Sequence, residues 1–525
     1  AFALWDRRER RLHLARDRIG EKPLYYGWSK GAFLFGSELK ALRAHPAFGA
    51  EIDRGAITLL LRHNYVPAPH TIYKGIRKLL PGTLATLTRD QARRREEPSM
   101  SHYWSLGEVA GRGIEQRATF NDAEALAQLD KLLREAVAQQ MVADVPLGAF
   151  LSGGVDSSTI VALMQAQSSR PVKTFTVGFL EKGYNEAQHA KAVAAHLRTD
   201  HTEVYVTHSE AMAVIPRLPQ LYDEPFSDAS QIPTFLVSQL ARASVKVSLS
   251  GDGGDELFGG YNRYFIGRDL WNRMRYLPPG ARALAARAIT AIPLPAWERL
   301  AASLRWVLPK SLRYAEVGEK AHKLASMLAS DSPDALYRGL VSHWSDPAAV
   351  VLGATEPATA LSNPDFPSNL GDQTERMMWL DTLTYLPDDI LAKLDRAAMG
   401  VSLESRVPLL DRRLVEWAWH LPLSMKIRNG QGKWLLRQVL YKYVPRELIE
   451  RPKMGFGIPL DAWLRGPMKD WAEALLDESR MRREGYFDPL PIRKKWREHL
   501  SRTHNWQYLL WDVLMFQAWL ENQTK

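Results

Sequence analysis

The amino-acid sequence predicts an α/β fold: a doubly wound parallel sheet, followed by a helical C-terminal part and preceded by a β-rich layer. Three observations predict it. Between residues 145 and 250, apolar runs of strand length alternate with segments of helical periodicity. Beyond about residue 262, Trp and Leu recur at spacings of three and four residues. Before residue 90, short β-like runs are separated by Gly, Pro and charged turns.

The β-rich layer is predicted from five runs, FALW, RLHLARD, KPLYYGW, AFLFGS and GTLATL. The polar segment that follows them has neither a helical nor a strand period, which is typical of an interdomain linker. A chain of 525 residues is also too long for a single core. We therefore expect one domain over residues 1–90, a linker over 91–120 and a second domain over 121–525.

The second domain is predicted to begin with a helix capped by Asn121, because Glu124 follows three residues later in a capping-box pattern. Its apolar face would carry Leu126, Leu129, Leu133 and Val137. Successive βα units then predict a parallel sheet. They are strand 145–151, helix 157–168, strand 172–179, helix 186–197, an extended run 203–206, helix 232–243 and strand 245–250.

Composition excludes several classes of function. The net charge is +10, but the aromatic residues are not interleaved with the basic clusters, so no nucleic-acid partner is expected. The sequence contains no cysteine, which excludes disulfides, thiolate metal sites and a cysteine nucleophile within these residues. No uninterrupted apolar run approaches 18 residues. We expect no membrane partner and a cytoplasmic location.

The turn after the first strand of the sheet has the features of an anion cradle. Gly153 and Gly154 lack a Cβ, so several backbone N–H groups can converge beside the N-terminus of the next helix. Hydroxyl donors would come from Ser152, Ser157 and Ser158. Asp156 in the same turn is compatible with phosphates only if a cation lies between them. The turn therefore predicts a pyrophosphate bridged by Mg²⁺.

A second turn of the same kind, SGDGGDELFGGY, covers residues 250–261 and again follows a β-rich run. The carboxyl ends of parallel strands meet at one edge of an open sheet, where ligands bind. We expect the two turns to converge there.

Five blocks resemble the synthetase half of glutamine-dependent asparagine synthetases. They are SGGVDSS (152–158), SGDGGDELFGGY (250–261), DDILAKLDRAAMGVSLESRVPLLD (388–411), GKWLLRQVL (432–440) and RPKMGFGIPL (451–460). Near the N-terminus, ARDRIGEKPLYYG (15–27) and FGSELKAL (35–42) resemble the closing strands of that family's N-terminal-nucleophile glutaminase domain. The resemblance implies a PP-loop synthetase domain that makes asparagine from aspartate, through β-aspartyl-AMP, with release of AMP and pyrophosphate.

The resemblance also implies roles for individual residues. Asp156 and Asp255 would coordinate Mg²⁺, Lys433 and Lys453 would stabilise charge on the phosphates, and Asp252 would act as the general base on ammonia. In well-known members a glutamate, one methylene longer, stands at the position of Asp252. The residues implied to bind ATP are Leu151, Ser152, Gly153, Gly154, Asp156, Ser157, Ser158, Val177, Ser250 and Gly251. Arg396, Glu404 and Arg406 are either substrate contacts or a structural ion-pair network on helical segments near the site, and we favour the structural role.

The family's glutaminase nucleophile is an N-terminal cysteine, and no cysteine is present in this sequence. We therefore expect these 525 residues to use free ammonia rather than to hydrolyse glutamine. Two other interpretations stay open: a related amide-forming or β-lactam-forming synthetase that acts on another carboxylate, and a non-catalytic relative. The latter would require the loss of the phosphate loops, and both are intact. The sequence also leaves a homodimer open.

Overall fold

The computed structural model describes residues 1–179, 187–303, 317–362, 370–451 and 457–524. Its strands are β1 (Phe2–Asp6), β2 (Arg11–Ala15), β3 (Tyr25–Ser29), β4 (Ala32–Gly36), β5 (Ile76–Lys78), β6 (Thr83–Thr88), β7 (Ser99–His102), β8 (Leu147–Phe150), β9 (Lys173–Phe179), β10 (Asp200–Val206), β11 (Val247–Leu249) and β12 (Glu404–Arg406). The strands form three sheets, two of them built from the first 102 residues.

Helices surround the sheets and fill the C-terminal half. The first eleven are α1 (Leu39–Arg43), α2 (Arg54–His63), α3 (Arg89–Arg94), α4 (Leu106–Glu115), α5 (Asp122–Gln140), α6 (Val155–Gln167), α7 (Ala187–Leu197), α8 (His208–Met212), α9 (Leu218–Leu221), α10 (Gln231–Arg242) and α11 (Gly254–Phe258). The C-terminal half contributes α12 (Asn262–Met274), α13 (Pro279–Ala291), α14 (Leu294–Ser303), α15 (Val317–Leu328), α16 (Pro333–Leu340), α17 (Gln373–Leu380), α18 (Leu391–Met399), α19 (Arg412–His420), α20 (Leu423–Lys426), α21 (Trp434–Leu440), α22 (Arg446–Ile449), α23 (Leu460–Arg465), α24 (Lys469–Leu475), α25 (Glu478–Glu484), α26 (Pro489–Leu500) and α27 (Gln507–Thr524). A π-helical segment, Asp381–Ile390, joins α17 to α18.

The N-terminal β layer consists of two antiparallel sheets, with strand orders β1-β2-β6-β7 and β4-β3-β5. The five predicted β runs all form strands, so the β-rich start is confirmed. Within the predicted linker, β7 pairs with β6, and α4 packs on α19 of the second domain. The predicted domain boundaries remain predictions.

The central sheet is parallel, in the order β10-β9-β8-β11-β12. The chain starts at β8, moves outward to β9 and β10, and then returns to the other side of β8 to form β11. This reversal creates a crevice at the carboxyl ends of β8 and β11, where open α/β sheets bind ligands. The predicted α/β class and the doubly wound parallel sheet are confirmed.

The position of Glu404 and Arg406 differs from the sequence analysis. Glu404 and Arg406 were expected on a helix, but they lie in β12, which pairs with β11 at the edge of the sheet. Arg406 bonds Glu404 at 2.6 Å and donates to the carbonyl oxygens of Gln140 and Val142, both at 2.8 Å. A strand of three residues, two of them charged, is too short for strand alternation to be recognised.

The capping box at the start of α5 forms as predicted: the Glu124 N–H donates to Asn121 Oδ1, and the Asn121 N–H donates to Glu124 Oε2, both at 3.0 Å. Leu129, Leu133 and Val137 on this helix are fully buried.

The largest apolar core crosses the whole chain. It joins Tyr73 of the N-terminal layer, Phe235 of α10 and Trp519 of α27. The rings of Tyr73 and Trp519 lie 5.8 Å apart, and the Tyr73 hydroxyl donates to Gln523 at 3.0 Å. Among the described helices, none combines the length and apolar character that crossing a bilayer requires.

Candidate active site

The first loop of the site connects β8 to α6 through Ser152, Gly153 and Gly154. Gly153 has a φ of +71°, and a Cβ there would lie 2.8 Å from the backbone nitrogen of Ala190, so only glycine fits. The Gly154 N–H donates to Ser152 Oγ at 3.2 Å, and the Ser152 N–H donates to Ser157 Oγ at 3.1 Å. These bonds close the loop over the N-terminus of α6, whose dipole favours an anion.

The second loop connects β11 to α11 and touches the first loop directly. A Cβ on Gly251 would lie 2.6 Å from the backbone nitrogen of Ser157, and one on Gly254 would lie 2.3 Å from Asp156 Oδ1. Gly253 has a φ of +90°, which turns the chain into α11. Glycine at 251 lets the two loops pack backbone to backbone, and glycine at 254 leaves room for the Asp156 carboxylate, so the predicted convergence is observed.

Asp156, Asp255 and Lys433 meet at this junction. Lys433 Nζ bonds Asp255 Oδ1 at 2.8 Å and also contacts Asp156 Oδ2. Burial disfavours the charged lysine, but the two carboxylates outweigh burial and raise the pKa of Lys433 above its usual value. Lys433 precedes α21 with a φ of 58°, and its N–H donates to the Phe258 carbonyl at 2.9 Å. A single buried cation therefore holds both carboxylates at one point.

A cavity of about 710 Å³ opens over the two loops. The residues predicted from the sequence that line it are Leu151, Ser152, Gly153, Gly154, Asp156, Ser157, Val177, Ser250, Gly251, Asp252, Asp255 and Lys433. Ser158 is fully buried beneath the loop and does not line the cavity. Lys453 lies outside the described residues. The structure thus brings together both loops and one of the two predicted lysines.

Asp252 belongs to the second loop and lines the cavity. The Ser250 hydroxyl donates to Asp252 Oδ2 at 2.6 Å, which fixes the carboxylate. Burial raises the pKa of Asp252, while the bond from Ser250 and the charge of Lys393 oppose that rise. A carboxylate whose pKa rises towards neutrality is a better proton acceptor than an ordinary aspartate.

The carboxylate pair fits a magnesium ion that is shared with phosphates. Mg²⁺ in nucleotide sites is usually held by one or two carboxylates, with phosphate oxygens and water completing its octahedron. Asp156 and Asp255 supply two carboxylates at one point, beside a loop suited to phosphate. No cluster of three or more His, Asp or Glu suited to a metal occurs among the described residues. Phosphate oxygens would therefore have to supply further ligands.

Sequence reasoning missed several residues of the site. Arg451 lines the cavity and donates to the carbonyl oxygens of Ser152 and Gly153, at 3.4 and 3.3 Å. It opens the RPKMGFG motif, in which only the lysine was singled out. Thr176 also lines the cavity, and its hydroxyl donates to the Leu151 carbonyl. A threonine within a buried strand gives no sequence signal of such a role.

Lys393, behind Asp252, belongs to a buried charge network. Its ammonium group lies 2.5 Å from Asp228 Oδ2 and 3.7 Å from Asp389 Oδ1. Asn64 at the end of α2 donates to Asp389 at 2.9 Å, so the network reaches the N-terminal layer. Arg396 on the same helix does not line the large cavity; it bonds Asp223 at 3.2 Å and the Ser37 carbonyl at 2.7 Å.

Comparison with known proteins matches both parts of the chain. The sequence model of asparagine synthase matches residues 128–521, and that of the glutamine amidotransferase domain matches residues 1–104. Asparagine synthetase [glutamine-hydrolyzing] 1 of Bacillus subtilis is 30% identical over 99% of this chain and 76% of its own length. A Mycobacterium tuberculosis protein, provisionally named asparagine synthetase [glutamine-hydrolyzing], is 34% identical over 99% of this chain and 76% of its own length. A more distant relative, amidase chyE of Penicillium rubens, is 27% identical over 93% of this chain and 73% of its own length.

Proposed function

The chain belongs to the asparagine synthase family, and we propose that it converts aspartate to asparagine through β-aspartyl-AMP, with release of AMP and pyrophosphate. It is a carbon–nitrogen ligase of the glutamine-hydrolysing asparagine synthetase type, and the family uses ATP as a substrate. The observation that carries the proposal is the shared contact of Asp156 and Asp255 with Lys433, at the junction of two glycine loops.

The first step activates the carboxylate. A side-chain oxygen of aspartate attacks the α-phosphorus of ATP, and the bond from that phosphorus to the bridging oxygen of pyrophosphate breaks. We infer that Ser152, Gly153 and Gly154 bind the leaving pyrophosphate, because their loop presents backbone N–H groups at the start of α6. Leu151 and Val177 at the strand ends, with Ser250 and Gly251, would hold the rest of the nucleotide.

Asp156 and Asp255 would hold Mg²⁺, which when bound neutralises charge on the phosphates. Lys433 contacts the same two carboxylates and keeps them from repelling each other. It also adds a fixed positive charge to the wall that faces the phosphates. Lys453 is proposed, from the motif alone, to stabilise charge on the α-phosphoryl oxygens.

In the second step ammonia attacks the carbonyl carbon of the adenylate, and the carbon–oxygen bond to AMP breaks. The nitrogen must lose a proton during this attack, and we propose that Asp252 accepts it. The bond from Ser250 holds the Asp252 carboxylate in place at 2.6 Å. The nitrogen is either free ammonia or ammonia released from glutamine.

Aspartate-dependent exchange of labelled pyrophosphate into ATP tests the first step without any nitrogen source. We expect exchange with Mg²⁺ and aspartate, and its loss in Asp156→Asn and Asp255→Asn. Asp334→Asn is the matched control, because Asp334 pairs with Arg376 away from the cavity. Exchange that persists in both site variants would refute the assignment of the two carboxylates.

The alternative substrate is another carboxylic acid, as expected for a related amide-forming or β-lactam-forming synthetase. The amidase name of the Penicillium relative favours keeping this candidate. A panel of acids in the same exchange assay distinguishes the two, because only an acid that is adenylated supports exchange. Exchange with a different acid, and none with aspartate, would replace the proposed substrate.

The proposed partners are small molecules: ATP, aspartate, and ammonia or glutamine. A reaction that consumes ATP fits a cytoplasmic location. A homodimer remains open.

A further inference from the structure

A two-helix segment, residues 262–291, leads from the rim of the active-site cavity to the protein surface. It consists of α12 and α13, joined by a short turn at residues 275–278. Asn262, Phe265 and Ile266 at the start of α12 line the cavity, and Ile266 is also 52% exposed. Helix α12 therefore runs from the mouth of the cavity to the turn at residues 275–278.

The two-helix segment is strongly cationic. Residues 262–293 contain six arginines and a single acidic residue, Asp269. Arg263 is neutralised by Asp381 at 2.8 Å, and Arg268 pairs with Asp269 at 3.2 Å. Arg282 is buried and donates to the Ser330 carbonyl at 2.5 Å.

Three arginines of the two-helix segment remain exposed. Arg273, Arg275 and Arg287 are exposed, and none of them forms an ion pair within the described part of the chain. Exposed arginines without carboxylate partners leave a positive field that attracts an anionic partner.

The same two-helix segment exposes large apolar side chains. Tyr276 is 74% exposed, Leu277 is 51% exposed, and Leu284 on α13 is 70% exposed. Helix α13 packs on α15, and its least exposed residues are Arg282, Ala286 and Ile289, which share one face. The opposite face carries Ala281, Leu284, Ala288 and Ala291, all exposed and none polar. A helix that faces only water normally has a polar outer face.

We propose that this surface, defined by Arg273, Arg275, Tyr276, Leu277, Leu284 and Arg287, binds the headgroup region of an anionic lipid membrane. Leucine and tyrosine between arginines match the composition of helices that lie in a membrane interface. A second copy of the chain would bring an identical positive surface against this one, and like charges repel. The absence of a spanning run led to the expectation of no membrane partner, but binding in the plane of the headgroups needs no such run.

Vesicle sedimentation tests the proposal with the complete chain. We expect binding to vesicles of equimolar phosphatidylcholine and phosphatidylglycerol, weaker binding at high salt, and little binding to phosphatidylcholine alone. Replacing both leucines, in Leu277→Glu/Leu284→Glu, should reduce binding at least tenfold. Leu490→Glu on α26 is the matched control, since Leu490 is 59% exposed outside this surface.

A second variant keeps the test independent of folding. Arg273→Gln/Arg275→Gln changes only exposed side chains, and each lost charge should weaken binding about fivefold. Both variants should keep the thermal midpoint of the parent and its exchange activity. If the unmodified chain showed no pyrophosphate exchange, the proposed reaction would be wrong. The vesicle-binding result would still test the membrane proposal.

Equal binding to neutral and anionic vesicles would overturn the proposal, as would full binding by either variant. Sedimentation velocity tests whether the surface instead joins two copies of the chain. If the parent self-associates, fails to bind vesicles, and becomes monomeric in Leu277→Glu/Leu284→Glu, the surface joins copies of the chain and the proposal is wrong.

Discussion

Replacing Gly251 with alanine tests whether the two loops must touch for the site to work. The added Cβ would lie 2.6 Å from the Ser157 nitrogen and 2.7 Å from the carbonyl carbon of Asp156. Both are backbone atoms, so no side chain can rotate away. Ordinary contact begins at 3.4 Å, and the loops must therefore separate by about 0.8 Å. That displacement would move Asp255 away from Asp156.

A misplacement of about 1 Å in a catalytic site can reduce the rate roughly 100-fold, so we expect a loss of that order in Gly251→Ala. Overpacking should also lower the free energy of unfolding by about 1–3 kcal/mol. Aspartate-dependent pyrophosphate exchange measures the rate, and thermal or urea unfolding measures stability.

The matched control is Gly339→Ala in α16, where nothing lies within 4 Å of the added Cβ. Its exchange rate should equal that of the parent, with stability raised by up to about 1 kcal/mol, since alanine favours helix. A Gly251→Ala protein with full exchange and parental stability would refute the argument that the loops are fixed by direct backbone contact.

Three further predictions follow from individual side chains. In Lys433→Met, Asp156 and Asp255 lose their shared buried cation, which should lower the free energy of unfolding by about 3–5 kcal/mol. Added Mg²⁺ should restore part of that stability. A melting temperature of the variant that does not change with Mg²⁺ would contradict the metal assignment. Asp252→Asn should leave pyrophosphate exchange measurable while slowing asparagine formation from ammonium roughly 10²- to 10⁴-fold; an equal loss in both assays would exclude a role confined to the second step. Burial lowers the pKa of His63 from 6.5 to about 3, so the unfolded chain takes up a proton below pH 6.5 that the folded protein excludes. Stability should fall as the pH drops from 6.5 towards 3, by about 2 kcal/mol at pH 5 from this residue, and urea titrations of His63→Leu that keep the full parental pH dependence would exclude it as the cause.

The parts of the fold that sequence could predict are those with local signals. Strands of the parallel sheet are buried apolar runs between turns, and the predicted strands at 145–151 and 172–179 correspond to β8 and β9. The helices predicted at 157–168 and 232–243 correspond to α6 and α10, within two residues at each end. The two glycine loops between strand and helix could be predicted for the same reason, because their glycines lie close together in the sequence.

The parts that sequence could not predict depend on contacts between distant residues. Lys433 joins Asp156, which lies 277 positions away along the chain, and no periodicity links the two. The buried network of Lys393, Asp228 and Asp389 likewise combines residues that resemble ordinary surface charges in the sequence. Short β12 was missed because its pairing with β11, rather than its own composition, makes it a strand.

The apolar core that joins Tyr73 to Trp519 has a consequence for how the protein comes apart. If the N-terminal layer detached, the apolar face of α27 that packs on it would become exposed to water. If α27 unfolded, the N-terminal layer would lose the same buried contacts. Loss of either end is thus coupled to loss of the other. We therefore expect the N-terminal layer and the final helix to unfold together in a single transition.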